Sequence, residues 1–345
     1  MAAAPVFADV DTGVDDAIAL IYLLASPDAE IVGIASTGGN VGVDQVCENN
    51  LGLLDLCRVD GVPVSRGADL PLNSATLTVS PVHGPRGLGY ADLPPTDRRL
   101  CGDDAATAWI TAARQHPGEL IGVATGPLTN LALALRQEPA LPTLLRRLVI
   151  MGGAYDYRGN TSPVSEWNIA FDPEAAAEVF AAWSPESGQA PQHLPILCGL
   201  DVTRQIALTP EILFGLAAAA DSTTTVLSIA DQRGTRSSAS NPLIRLIEDA
   251  TRFYLESYHD LGHGYQAHLH DPLAAAVALD PQLVDTRQAT VDVETTGTLT
   301  RGMTVTDWSG RWGRKPNALI AVNADPTKFF DRFIERVGPF ATRLG

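Results

Sequence analysis

Four aspartates lie close together near the start of the chain. Asp9, Asp11, Asp15 and Asp16 occur within eight positions of the stretch FADVDTGVDDAIAL, residues 7–20. Like charges this close repel one another, and burying them costs free energy unless a positive group compensates. The stretch begins and ends in apolar runs, so it belongs to the body of a fold. This spacing therefore suggests a site for a cation.

Two simpler interpretations account for the cluster poorly. Asp15 and Asp16 suit the first turn of a helix, where the helix dipole favours negative charge, but this leaves the two earlier aspartates unexplained. An EF-hand loop is excluded because Gly13 comes one place early and the twelfth position is Leu20. A helix terminus alone is therefore insufficient.

A phosphatase of the haloacid dehalogenase type is a sharper alternative, since DVDTG resembles its first motif. Those enzymes need a later lysine followed by a paired acidic motif. The only lysines, Lys315 and Lys328, come too late, and no such pair follows either. The remaining interpretation is a hard cation, above all Ca²⁺, which takes six to eight oxygen ligands.

Further ligands for such a cation can come from two downstream motifs. In ATGPLTN, Pro127 is expected as the first helical residue, which leaves the carbonyls of Thr125 and Gly126 at the end of a strand. In HLHDPLAAA, Asp271 precedes Pro272 at another helix start. A helix N-cap is the simpler role for that aspartate when it is considered alone.

Composition limits the class of protein. The 345 residues are 45% hydrophobic, and the net charge of −16 argues against a nucleic-acid partner or an anionic membrane surface. The N-terminus does not read as a signal peptide, and no apolar run reaches the ~18 residues of a membrane span. We therefore expect a cytoplasmic protein. No zinc or disulfide pattern is formed by the four cysteines, Cys47, Cys57, Cys101 and Cys198.

The elements that position the aspartates alternate along the chain. Apolar β-rich runs are separated by helical patterns, which predicts a mostly parallel sheet covered by helices on both faces. The predicted strands are 6–11, 29–37, 62–68, 119–126, 146–153 and 194–203, with β-rich runs over 288–323. The predicted helices are 15–26, 43–57, 105–117, 127–137, 172–183 and 326–337, and residues 204–280 are mainly helical.

This pattern predicts a Rossmann-like α/β fold in a single domain, residues 1–345, with additional C-terminal strands. Active sites in such sheets lie at the carboxyl ends of the strands, where the first strand delivers its aspartates. Two long loops, 69–104 and 259–269, are candidates for binding segments.

An ordered set of motifs resembles the inosine–uridine nucleoside hydrolase family across nearly the whole chain. The set comprises DVDTGVDDA (9–17), GGN (38–40), ATGPLTN (124–130), MGGAY (151–155), NTSPVSEWNIAFDPEAA (160–176), HDPLA (270–274) and TRGMTVTD (300–307). The resemblance implies a Ca²⁺-dependent enzyme that hydrolyses the N-glycosidic bond of ribonucleosides to free base and ribose. It also implies a role in purine and pyrimidine salvage.

The resemblance assigns the cation to four residues. Asp11, Asp16 and Asp271 match calcium ligands, and Thr125 would contribute its backbone carbonyl. Asp11 also matches the residue thought to take a proton from the calcium-bound water, and Asp9 supports the cluster from behind.

The resemblance also assigns substrate contacts. Asp15 matches a ribose-hydroxyl contact, Asn40 helps to order the site, and Met151 matches a sugar-face contact. His270 matches the general acid for the leaving base, although three further histidines lie close to it in the sequence. The remaining matches are a ribose-binding set and two residues near the base: Asn160, Glu166 and Asn168, then His83 and Tyr258.

Elementary chemistry agrees with these assignments. Cleavage builds positive charge on the sugar and negative charge on the departing base, so acidic surroundings suit the sugar and a proton donor suits the base. Base preference stays open among purine, pyrimidine and nonspecific, and the positions of His83 and His270 resemble the nonspecific or pyrimidine-preferring branch of the family. Two alternatives to hydrolysis also remain, a noncatalytic riboside-binding protein and the phosphatase. The resemblance further implies a homodimer or homotetramer.

Overall fold

The computed structural model describes residues 3–73, 81–184, 188, 193–224 and 226–345. Its main feature is a nine-stranded sheet in which seven neighbouring strands are parallel. The described strands are β1 (Ala4–Val10), β2 (Ala29–Ser36), β3 (Val64–Arg66), β4 (Leu120–Ala124), β5 (Leu145–Met151), β6 (Ile196–Cys198), β7 (Ala207–Leu208), β8 (Ala267–His268), β9 (Val284–Val293), β10 (Thr304–Asp307) and β11 (Ala318–Ala324).

The helices cover both faces of this sheet. The described helices are α1 (Val14–Ala25), α2 (Val43–Leu56), α3 (Ala105–Gln115), α4 (Thr129–Gln137), α5 (Leu141–Leu144), α6 (Trp167–Phe171), α7 (Pro173–Ala182), α8 (Leu200–Thr203), α9 (Pro210–Ala219), α10 (Pro242–Asp260), α11 (His270–Leu279) and α12 (Pro326–Thr342). No helix among the described residues is long and apolar enough to cross a membrane.

The strand order is β10-β9-β11-β6-β5-β4-β1-β2-β3. Strands β9 and β10 run antiparallel at one edge, whereas the run from β3 to β11 is parallel throughout. Chain order reverses between β1 and β4, which is the switch point where doubly wound sheets bind ligands. The predicted mostly parallel sheet is thus confirmed, and its switch point lies beside the acidic cluster.

The side chains of β1 pack alternately into two hydrophobic clusters on opposite faces of the sheet. Val6, Ala8 and Val10 belong to one cluster, and Phe7 belongs to the other together with Trp109 of α3. Side chains alternate along a strand, so Asp9 lies on the same face as Phe7. The first aspartate therefore points beneath α3 rather than out of the sheet end.

Some predicted boundaries are wrong by a few residues. Helix α4 begins at Thr129, so Pro127 precedes it. The run 194–203 holds the short strand β6 and then α8, and α12 continues past its predicted end to Thr342. The loop predicted over 69–104 contains a 3₁₀ turn at Pro81–His83, and its residues 74–80 lie outside the described part.

The N-cap of α7 makes hydrogen bonds beyond its own helix. Asp172 caps α7 by accepting the backbone N–H of Ala175 at 3.0 Å, with Pro173 as the first helical residue. The same carboxylate accepts the Thr129 hydroxyl at 2.7 Å and the Leu72 backbone N–H at 2.9 Å. Asp172 is fully buried, and burial raises its pKa.

We expect Asp172→Ala to lower the free energy of unfolding by about 2–4 kcal/mol, because it leaves several donors without an acceptor. Urea unfolding followed by circular dichroism measures the change. Asp104→Ala is the matched control, since Asp104 is an exposed cap that, among the described residues, accepts only the N–H of Thr107. A cost for Asp172→Ala no larger than that of the control would contradict the prediction.

Candidate active site

A cleft of about 440 Å³ opens at the carboxyl ends of the central strands. Three of the predicted site residues, Asp9, Asp11 and Asp16, lie behind its wall and are almost fully buried. The other predicted site residues line the cleft: Asp15, Asn40, His83, Thr125, Met151, Asn160, Glu166, Asn168, Tyr258, His270 and Asp271. The structure therefore brings together residues that are up to 262 positions apart (271 − 9).

Four buried carboxylates form an acidic floor at and beneath the inner end of the cleft: Asp15 and Asp16 of α1, Asp271 of α11, and Asp11 directly after β1. One oxygen each of Asp15, Asp16 and Asp271 lies within 4.8 Å of the others. Asp15 and Asp16 belong to the first turn of α1, and Asp271 is the second residue of α11, so Asp271 does not cap its helix. This closest group includes Asp15, whereas the ligand set predicted from the sequence has Asp11 in its place.

Hydrogen bonds orient two of the floor carboxylates. Asp16 accepts the backbone N–H of Gly13 at 2.9 Å and the hydroxyl of Thr125 at 2.7 Å. Asp11 accepts the backbone N–H of Asn40 at 2.8 Å through Oδ2. The Oδ1 atoms of Asp11 and Asp15 are buried and have no hydrogen-bond partner in the described part of the chain.

The electrostatics of the floor are unfavourable without a cation. Burial, followed by the charge of Asp16, raises the pKa of Asp11 well above its usual range and that of Asp15 to about 8. Burial and the neighbouring carboxylates likewise raise the pKa of Asp271. Unpartnered carboxylate oxygens in an all-oxygen pocket are the donors that a hard divalent cation requires. The floor therefore fits a metal ion.

Two glycines allow the chain to approach Asp11 closely. A Cβ at Gly39 would overlap the Asp11 carboxylate and lie 2.9 Å from Asp11 Cβ. A Cβ at Gly126 would lie 3.0 Å from the backbone nitrogen of Asp11. The motifs GGN and ATG therefore supply the space that the acidic floor requires.

Asp9 supports the floor from behind. It accepts hydrogen bonds from Thr37 at 2.6 Å, Trp109 Nε1 at 2.7 Å and Asn130 Nδ2 at 3.0 Å. Burial raises the pKa of Asp9 to about 6, and these three donors oppose that shift. The sequence analysis missed all three donors. Only Asn130 stood inside a motif that could have suggested it, ATGPLTN.

The wall beside β5 carries the predicted ribose contacts. Glu166 caps α6, and its carboxylate accepts the backbone N–H groups of Gly153 and Asn168, each at 2.9 Å. Asn168 donates from Nδ2 to the carbonyls of Thr125 at 2.6 Å and Met151 at 3.1 Å. The Thr125 carbonyl predicted for the cation thus already accepts one donor, and a carbonyl has a second lone pair.

His83 closes the opposite wall. Its Nδ1 accepts the backbone N–H of Val14 at 3.1 Å and lies 3.8 Å from Asp15 Oδ1. Because Nδ1 accepts, the ring proton is on Nε2. Burial lowers the pKa of His83 to about 4, so the ring is neutral near pH 7.

His270 is bonded through both ring nitrogens. Nδ1 lies 2.7 Å from the Thr203 hydroxyl, and Nε2 lies 2.9 Å from the Tyr258 hydroxyl. Burial, assisted by His268 and Arg204, lowers the pKa of His270 well below its usual value. His270 is therefore a neutral ring, linked to the cleft through Tyr258.

Three residues at the outer end of the cleft were not found by the sequence analysis. Tyr157, Arg204 and His263 line this end together. His263 was noted only as one of several histidines in a loop, and Arg204 follows a predicted strand without any motif of its own. Their common position arises from three separate connections, which spacing along the chain does not reveal.

The family and the known proteins that are similar to this chain are described as nucleoside hydrolases. The family described as inosine-uridine preferring nucleoside hydrolase matches residues 6–331. A pyrimidine-specific ribonucleoside hydrolase RihA of Citrobacter koseri is 36% identical over 341 residues, covering 99% of this chain and 100% of that protein.

Solved structures are similar over the same extent. The purine-preferring ribonucleoside hydrolase from Gardnerella vaginalis has a TM-score of 0.85 and 31% identity, covering 98% of this chain and 99% of the other. The plant nucleoside hydrolase PpNRh1 has a TM-score of 0.83 and 28% identity, covering 97% and 99%.

Substitution of Gly39 tests the geometry of the acidic floor. We expect Gly39→Ala to displace the Asp11 carboxylate and to weaken divalent-cation binding by roughly 10- to 100-fold. Isothermal titration calorimetry with Ca²⁺ and with Mg²⁺ measures the affinity. Gly42→Ala is the control, because a Cβ there has no neighbour nearer than 3.7 Å. Equal affinities for the two variants would show that the close approach at Gly39 is unimportant.

Proposed function

Because this chain belongs to the inosine-uridine preferring nucleoside hydrolase family, we propose that its cleft cleaves the N-glycosidic bond of ribonucleosides. The protein is an enzyme of the class that hydrolyses N-glycosyl compounds, and the proposed products are a free nucleobase and ribose. One observation supports the location above all others: an acidic floor, polar walls and a Tyr–His pair line the same cleft.

We assign Ca²⁺ to the acidic floor. Asp11, Asp16 and Asp271 would hold it with the Thr125 carbonyl, and the unpartnered Oδ1 of Asp11 supports this choice. Bound there, the ion would chelate the ribose diol and lower the pKa of a coordinated water. Asp15, whose Oδ1 is also unpartnered, would then contact a ribose hydroxyl.

Asp11 is the proposed general base. The N–H of Asn40 fixes Oδ2. Oδ1 has no hydrogen-bond partner among the described residues, so beside the cation it would keep a second lone pair to accept the proton of the attacking water. Asp9 lies behind Asp11 and supports the acidic floor through its hydrogen bonds to Thr37, Trp109 and Asn130. The backbone at Gly39 packs directly against the Asp11 carboxylate.

Polar side chains in the walls of the cleft would bind the ribose. Asn160 and Asn168 would bind ribose hydroxyls, Asn40 and Glu166 would order the contacts, and Met151 would pack against the sugar face. In support, the Asn168 amide nitrogen is fixed by two backbone carbonyls, so its oxygen is oriented before substrate binds. Preorganised contacts of this kind lower the entropic cost of reaching the transition state.

His270 and Tyr258 would deliver a proton to the departing base. A neutral His270 that donates Nε2–H to the Tyr258 oxygen leaves the tyrosine hydroxyl proton free to pass to the base. The Thr203 hydroxyl would stabilise that tautomer by donating to Nδ1. His270 therefore acts through Tyr258, which refines its predicted role as the direct acid. His83 is placed to contact the 5′ side or the base.

The alternatives from the sequence are not favoured. The matched family and relatives are hydrolases of nucleosides, which supports neither a noncatalytic binding protein nor a phosphatase. Pyrimidine-specific and purine-preferring relatives are both similar to this chain, so their names assign no base. The salvage role, the cytoplasmic location, the single domain and the dimer or tetramer stay predictions.

A substrate panel tests the proposed function. We expect ribose release from uridine, cytidine, inosine or adenosine in the presence of Ca²⁺, with little release of 2-deoxyribose from 2′-deoxyuridine. Asp11→Asn should lower kcat/KM by roughly 10²–10⁴-fold, the usual contribution of a general base. A reducing-sugar assay measures turnover. Asp104→Asn, a conservative change at an exposed helix cap, is the control. Absence of ribose from every nucleoside would refute the proposal.

Stability against pH tests the cation. With Asp15 held at a pKa of about 8 in the folded state, the cation-free protein should lose stability between about pH 6.5 and pH 8. The carboxyl is protonated only in the folded state over this window, so its contribution is present at the lower pH and lost as pH rises. Each such carboxyl lowers the free energy of unfolding by about 1.4 kcal/mol for every pH unit of increase within this window.

Buried neutral histidines do not obscure this window, because they affect stability only below about pH 6.5, where the unfolded state gains protons. Urea unfolding after chelation measures the slope, and Ca²⁺ should both raise stability and remove the slope. A cation-free protein that is more stable at the upper pH, or a slope that Ca²⁺ leaves unchanged, would overturn the assignment.

A further inference from the structure

Arg204 lies at the outer end of the cleft, where none of the assigned roles uses it. It is the C-cap of α8, the short helix that follows β6. Its guanidinium carbon lies 5.4 Å from the centre of the Tyr157 ring, and its Nη2 lies 3.4 Å from His263 Nδ1. Connections after β5, after β6 and after α10 thus meet around one guanidinium.

The surroundings of Arg204 leave its charge without a carboxylate. Neither the stacked ring of Tyr157 nor the imidazole of His263 carries negative charge near pH 7. Among the residues that the structure describes, no carboxylate oxygen lies within 4.0 Å of its nitrogens. Acidic side chains outnumber basic ones in this chain, 40 to 24, so the lack of a carboxylate beside Arg204 does not reflect a shortage of acidic residues. Arg204 therefore presents unused donors to the cleft.

The two ends of the cleft fix the direction of a bound nucleoside. The carboxylates of Asp15 and Asp271 mark the inner end, where ribose hydroxyls bind in the proposed function. Tyr157 and Leu261, 49% and 61% exposed, mark the mouth. With ribose at the floor, the glycosidic bond points outward, and the base edge farthest from the sugar faces Arg204.

Resting on the proposed function, we propose that Arg204 is the residue that reads this remote edge and favours a base with a carbonyl there. A guanidinium has five N–H donors and no acceptor, so it binds a carbonyl oxygen and repels an exocyclic amino group. The remote position is carbon 4 of a pyrimidine and carbon 6 of a purine. Uracil and hypoxanthine carry oxygen at that position, whereas cytosine and adenine carry an amino group.

The same contact assists departure of the base. As water oxygen bonds to the anomeric carbon, the carbon–nitrogen bond breaks and its electron pair passes to the base, which then takes a proton from Tyr258. Part of that negative charge resides on the remote carbonyl oxygen, because the oxygen is conjugated with the ring nitrogen. A guanidinium beside this oxygen therefore binds the departing base more strongly than the intact nucleoside.

Two pairs of substrates isolate the proposed contact. Uridine and cytidine differ at the remote position of a pyrimidine, and inosine and adenosine differ at that of a purine. The wild-type enzyme should prefer the carbonyl member of each pair in kcat/KM. Arg204→Gln should reduce that preference by roughly 10- to 100-fold, the value of one charge-assisted hydrogen bond. Arg204→Lys should retain part of it.

Arg287→Gln is the matched control. Arg287 is an exposed arginine that stacks on Trp308 at 4.5 Å and does not line the cleft. The same loss of charge and stacking there should leave both preferences unchanged. A loss of activity in Arg204→Gln that is equal for both members of a pair would indicate a structural role and overturn the proposal.

A binding measurement separates the contact from catalysis. In an Asp11→Asn background, calorimetry should give tighter binding of uridine than of cytidine, and adding Arg204→Gln should bring the two affinities together. Unchanged discrimination in that double variant would overturn the proposal. If the wild-type enzyme releases ribose but shows no carbonyl preference, the inference about Arg204 fails alone. If it releases none, the proposed function fails.

Discussion

Burial of negative charge is the constraint on which this structure depends. Asp15, Asp16 and Asp271 have carboxylate oxygens within 4.8 Å of one another, the charge of Asp11 acts on Asp271, and all four side chains have almost no exposure to solvent. Repulsion among them must be overcome by folding, because each carboxylate is delivered by an element that packs into the core. The rest of the molecule acts as a frame that holds these carboxylates together in a pocket that fits a cation.

The carboxylates can come together at this place because the chain order of the strands reverses between β1 and β4. Strands β1 and β4 are neighbours at the switch point, so the chain leaving β1 and the chain leaving β4 separate and leave a gap. The acidic floor fills that gap from α1 on one side and α11 on another. Asp9 then joins the floor to the interior, since its three donors come from β2's end, α3 and α4.

Periodicity and motifs predicted much of this arrangement. The parallel sheet followed from apolar runs, and the proximity of Asp16 to Asp271 followed from an ordered set of motifs. Trp109 could not be found in the same way, because a tryptophan in an amphipathic helix is most often only a core residue. Arg204 was likewise invisible, since its role depends on Tyr157 and His263 arriving from other connections.

The two ends of the cleft are built from different parts of the chain. Strand ends and the helices that follow them make the inner end, whereas Tyr157, Arg204 and the residues after α10 make the outer end. Selection can therefore exchange the outer segments without disturbing the acidic floor. Such modularity offers a physical reason why one scaffold diversifies readily in base preference, and it makes the mouth of the cleft the place to redesign this enzyme.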